Sequence, residues 1–248
     1  MFWYNSGMRL SIKISLNSLT FLIGFNVLMF LIPVVISVLL SGKVDQAYGL
    51  LLYLLGGLRG DWVAAGDIWR VVTSAFLHVD IIHIGANMIA LFQLGRIVYN
   101  YYGGRLLFFT YILCGIAGSG MSLIFARDIA SVGASGAVFG LVGLLIAGTL
   151  RNNRYGLSLP FGVWDILPLA IYSFLIGIVP GSPVNNWAHL GGFLFGFLLG
   201  RVFDHNLNLA KDTRIEQLKN VLYYLSVVLF VGAYVWMIAS LPAQLGLL

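Results

Sequence analysis

The chain has 248 residues, of which 60% are hydrophobic and only 9% charged. That balance excludes a water-soluble globular domain and makes lipid the natural solvent. The formal charge is +5, but the basic residues are spread over separate connections and form no stripe, which excludes nucleic-acid binding.

A helix that crosses a bilayer needs about 20 mostly apolar residues. Approximate candidate spans lie at 19–41, 82–101, 106–126, 135–150, 163–180, 187–203 and 219–241. Residues 1–18 form a polar leader with Arg9 and Lys13. The first span is too long for the apolar core of a signal peptide and no small-residue cleavage site follows it, so it reads as a retained helix.

The connection 42–81 contains GLLLYLLGGLRGDWVAAGDIWRVV, too apolar for a solvated loop and interrupted by Gly56, Gly57, Gly60 and Gly66. It predicts short helices resting in the outer leaflet, with Trp62 and Trp69 at headgroup depth. The second span opens with HIGAN, which sets His83 and Asn87 at i and i+4 on one helix face. Both side chains can donate a hydrogen bond to a developing oxyanion. A zinc reading of His78, Asp80 and His83 is weaker, because the five-residue spacing turns the two histidines about 140° apart on a helix. The third span holds Cys114, the single cysteine, which rules out an intrachain disulfide and reads as a core thiol.

The fourth span begins in SVGASGAVFG, residues 131–140, with Ser135 between Gly133 and Gly136. An N-cap serine is the common reason for such a residue. The alternative is a nucleophile on a tight turn at a helix N-terminus, where unpaired backbone N–H groups would stabilise an oxyanion. Asp165 opens the fifth span on the opposite side of the membrane from Ser135. The sixth begins in NNWAHLGGFLFGFLLG and carries His189 on one helical stripe with Gly192, Gly196 and Gly200. The fourth carries Gly136, Gly140, Gly143 and Ala147 on another. Such stripes let two backbones approach closely, which would bring the His189 ring toward Ser135 as a general base. With Asp165 across the bilayer and Asp80 and Asp128 reading as surface caps, catalysis here would use a Ser–His dyad.

Ten of the fourteen Lys and Arg residues fall on one side if the N-terminus is inside: Arg9, Lys13, Arg96, Arg105, Arg151, Arg154, Arg201, Lys211, Arg214 and Lys219. The positive-inside rule then places the N-terminus in the cytoplasm and Ser135, His189, His83 and Asn87 toward the outer side. A polar set gathered at one face, without internal repeats, argues against a transporter.

These residues together resemble the rhomboid intramembrane serine proteases. The resemblance covers a six-helix core, residues 19–205, and rests on Trp69 and Arg70, on HIGAN, on GASG with Ser135 and on AHLGG with His189. It implies an all-α polytopic fold with one additional C-terminal helix (residues 219–248) after a cytoplasmic linker (206–218). It also implies a plasma-membrane endopeptidase that needs no metal or cofactor and cleaves within or beside transmembrane segments of other membrane proteins. Ser135 would be the nucleophile, His189 the base, and His83, Asn87 and the Ser135 N–H the oxyanion hole. Substrate would enter between the second and fifth helices beneath a mobile cap, to which Gly181, Ser182 and Pro183 would belong. Many members have a tyrosine four residues after the nucleophile where this chain has Phe139. An inactive, client-binding relative is the competing reading; such relatives typically lack the serine or the histidine, and both are present here.

Overall fold

The computed structural model describes residues 17–44, 46–151, 159, 163–177, 179, 184–205 and 213–246. The expected cap residues Gly181, Ser182 and Pro183, and residues 1–16 of the leader with Arg9 and Lys13, lie outside that set. All seven apolar stretches coincide with helices: α1 (Ser18–Ser41), α5 (Ile81–Tyr102), α6 (Gly104–Phe125), α7 (Ser135–Leu150), α8 (Val163–Ile176), α9 (Asn186–Val202) and α10 (Thr213–Gln244). Of these, α1, α5, α6 and α10 are long and apolar enough to cross a membrane, and α7 is a shorter apolar helix. The connection after α1 folds into α2 (Gln46–Leu54), α3 (Gly60–Ala64), α4 (Arg70–Thr73) and a 3-10 turn at Ser74–Phe76.

Local chemistry sets the helix ends. Asn17 caps α1 by accepting from the Thr20 N–H at 3.0 Å, and Gly42 closes it in the left-handed conformation that glycine tolerates. Asp80 caps α5, accepting from the His83 N–H at 2.7 Å. Asn185 caps α9 through Oδ1, while its Nδ2 donates to Ser122 Oγ on α6 at 2.6 Å, so this asparagine is structural. α10 begins at Thr213, earlier than the apolar pattern, with Glu216 in its first turn paired to Lys219 at 2.7 Å.

α7 is the central helix, buried from Gly136 through Gly148. An all-apolar helix has no water-facing side and belongs in the middle of a bundle. It packs chiefly against α9 and α6. Its 16 residues span roughly 24 Å, shorter than the ~30 Å hydrocarbon layer, so α7 alone does not reach across it. By contrast α1 and α10 expose long apolar rows, such as Leu28, Leu31 and Val35, or Val221, Val228 and Val235. In lipid those rows are solvated.

Trp69 departs from the sequence expectation of a headgroup anchor. It is 2% exposed, within the core. The cause is Arg70, fully buried beside it. The guanidinium stacks on Tyr53, Trp62 and Trp69, pairs with Asp67 at 2.8 Å, and donates to the carbonyls of Tyr53 at 2.6 Å and Gly57 at 3.1 Å. A buried cation is tolerated only when its donors are met in this way, and three aromatic faces contribute the rest.

Candidate active site

Ser135 is the first residue of α7. The capping position is Ala134, and no side chain caps the helix. Among the described residues the half-buried Ser135 hydroxyl has no hydrogen-bond partner, so the capping role considered from sequence is not the one it plays. The turn ahead of it is fixed from both sides. Gly133 has φ of 132°, a value side chains other than hydrogen rarely adopt, and its N–H donates to the Ser74 carbonyl at 2.9 Å. Two residues earlier, Ser131 and Leu58 exchange backbone hydrogen bonds at 2.9 and 2.8 Å, an isolated antiparallel bridge. The loop that presents Ser135 is therefore pinned to the connection between α1 and α5.

His83 comes from the first turn of α5. A Cβ placed on Gly133 would lie 2.7 Å from His83 Nε2, so the imidazole edge sits against the Ser135 turn. Asn87, 6% exposed, stands one turn further on and donates from Nδ2 to the His83 carbonyl at 3.0 Å. A carboxamide carries two N–H donors, which leaves one for an incoming oxygen.

His189 comes from the first turn of α9 and is 4% exposed. Its ring lies flat on Phe139, centroids 4.2 Å apart and planes 8° off parallel. Phe139 is i+4 from Ser135, so the serine and the stacked imidazole share one face of α7. His189 Nδ1 is buried and has no hydrogen-bond partner among the described residues, so stacking rather than a carboxylate orients the ring. Asp165 sits at the far end of α8, whose other end meets the start of α9 through Asn186 Nδ2 and the Phe174 carbonyl at 3.1 Å.

The small-residue stripes do what their spacing predicts. A Cβ on Gly192 would collide with the Gly136 carbonyl, one on Gly196 with the Gly140 carbonyl, and one on Gly200 with the Leu144 carbonyl. From the other side, Gly143 faces the Phe193 carbonyl. On the opposite flank, an apolar cavity of about 200 Å³ separates α8 from this pair. Ile171, Phe174 and Leu175 line it on one side and Phe139, His189 and Phe193 on the other.

Two further residues sit near the site without a sequence signal that assigns them to it. His78 is fully buried, its ring edge-on to His83 at 5.0 Å. Burial, and then the neighbouring His83, push its pKa down to about 3. Ser74 supplies the carbonyl that holds Gly133; nothing in the linear pattern distinguishes it. Among the described residues no group of His, Cys, Asp or Glu could hold a metal ion.

The family model described as Rhomboid domain matches residues 65–205. The chain is 31% identical over 203 residues to RHOMBOID-like protein 4 of Arabidopsis thaliana, covering 77% of this chain and 51% of that protein. It is 34% identical over 146 residues to Rhomboid protease GluP of Bacillus subtilis, covering 59% and 28%. It is also 34% identical over 144 residues to Inactive RHOMBOID-like protein 8 of A. thaliana, covering 56% and 40%. The chain thus spans about half or less of the length of these relatives.

Proposed function

The chain belongs to the rhomboid family of polytopic helical membrane proteins, and within it we propose that this protein is an active serine endopeptidase of transmembrane segments. The observation that carries the reading is the Ser135 hydroxyl, without a partner among the described residues, on the face of α7 where Phe139 holds His189. Ser135 Oγ attacks the carbonyl carbon of a peptide bond while His189 takes its proton. The carbonyl electrons move to an oxyanion held by the remaining Asn87 N–H, by His83 and by the Ser135 backbone N–H at the helix start. Collapse of the tetrahedral adduct breaks the C–N bond, and His189 passes its proton to the departing amine. Water, deprotonated by His189, then hydrolyses the ester and restores Ser135.

The short α7, which cannot span the hydrocarbon layer alone, suits a substrate whose carbonyls emerge below the bilayer surface. Substrate passes into the site beside α8, with the N-terminus of this chain in the cytoplasm and the site opening outward. Of the domain bounds expected from sequence, residues 19–205 would be the catalytic unit and α10 an addition to it.

The test is covalent labelling by a fluorophosphonate probe in wild type, Ser135→Ala and His189→Ala, each checked for folding. Labelling of wild type alone supports the reading. Asn87→Ala is expected to slow phosphonylation by the probe about 10²-fold, the typical loss of one oxyanion donor. Relatives named inactive exist, so absence of labelling in folded wild type would favour a client-binding role.

A further inference from the structure

We propose that the outer end of α10 clamps the loop that carries Ser135, with Gln244 as a positioning residue; this rests on the reading of Ser135 as nucleophile. The buried face of α10 runs through Ser226, Phe230, Ala233 and Met237 at steps of four, three and four. Gln244 lies seven residues beyond Met237 and so continues that seam to the end of the helix. There the seam turns polar. Gln244 Nε2 donates to Asp67 Oδ2 at 3.1 Å.

That same carboxylate oxygen accepts from Arg70 Nε at 2.9 Å and pairs with Nη2 at 2.8 Å. Arg70 in turn holds the Gly57 carbonyl, next to Leu58, which exchanges backbone hydrogen bonds with Ser131. Arg70 also opens α4, whose continuation supplies the Ser74 carbonyl that holds the Gly133 N–H. Two routes of charged or backbone hydrogen bonds therefore lead from Gln244 to the residues just ahead of Ser135. A packed aromatic group anchors the seam lower down, with Phe230 against Phe25 at 5.0 Å and Phe76 at 5.4 Å. Phe76 ends the 3-10 turn that contains Ser74. The helix added to the core thus grips the outer connection by its side chains at two heights.

The experiment uses the full chain in detergent with the fluorophosphonate probe, reading the maximal phosphonylation rate and the probe concentration for half-maximal rate separately. Gln244→Glu keeps the size and sets carboxylate against carboxylate; Gln244→Lys restores a donor. Gln244→Glu is expected to lower the maximal rate about tenfold, as small misplacements of reacting groups do, with the half-maximal concentration unchanged. Amide hydrogen exchange across residues 131–137 should quicken in the same variant, while Gln244→Lys stays within about twofold of wild type in both readouts. Wild-type rate and exchange in Gln244→Glu overturn the proposal, as does a fall in Tm with neither readout moved. So does Gln244→Lys losing as much as Gln244→Glu. If Ser135→Ala still takes up the probe, the nucleophile reading fails, whereas exchange at 131–137 still decides the clamp.

Discussion

His83 sits at the Ser135 turn with a second imidazole, His78, edge-on behind it and sealed from solvent. Burial holds His78 neutral, with a pKa of about 3 against about 6.5 in an unfolded chain. A histidine with a depressed folded pKa binds fewer protons folded than unfolded between those values, so stability is full above about pH 6.5 and falls as pH drops toward 3. The slope from one such group is at most about 1.4 kcal/mol per pH unit. Tm measured from pH 7 to pH 5 should fall in wild type and fall less steeply in His78→Phe; equal slopes would assign the acid sensitivity to other groups. The residues proposed for the chemistry stand out in the sequence by type alone: a serine between glycines, and a histidine and an asparagine one turn apart. For His78 the sequence offers only a weak zinc reading, because nothing in a linear spacing shows that two rings will meet edge to edge. Trp69 escapes sequence reasoning for a related reason. Tryptophan usually marks an interface, and only the burial of Arg70 draws it inward.

Helix positions follow from apolar runs and their interruptions, and the α7–α9 contact follows from glycine spacing. How close that contact is cannot be read from spacing, since a stripe of small residues permits a seam without fixing its depth. The structure brings Cα atoms of α9 against carbonyls of α7. Gly192→Ala and Gly196→Ala must therefore push the backbones of α7 and α9 apart, at an expected cost of about 1–3 kcal/mol or more. Gly120→Ala on α6, where a Cβ would meet nothing within 4 Å, should instead stabilise by up to about 1 kcal/mol through helix propensity. Thermal unfolding of the three variants in one detergent checks the contrast. A Gly192→Ala protein as stable as Gly120→Ala would mean the seam is looser than described.

For the molecule as a whole, orientation rests on charge alone, and charge makes a direct expectation. In a background where buried Cys114 is replaced by Ala, cysteines at exposed Asp61 or Asp128 should react with an impermeant maleimide added outside intact cells. A cysteine at exposed Leu218 should react only after permeabilisation. The reverse pattern would invert the assignment of sides. Intimacy of packing is unequal around the bundle: α7 and α9 touch backbone to backbone, while α8, joined to α9 at Asn186, leaves a cavity between itself and that pair. A joint without side chains has no rotamers to change, so it cannot yield by small steps. Spin labels on α7 and α9 would accordingly report one narrow distance with or without a bound helix, and labels on α8 and α9 a broad or shifting one. The serine and the histidine ride on a single weld, and the open space lies on its other side.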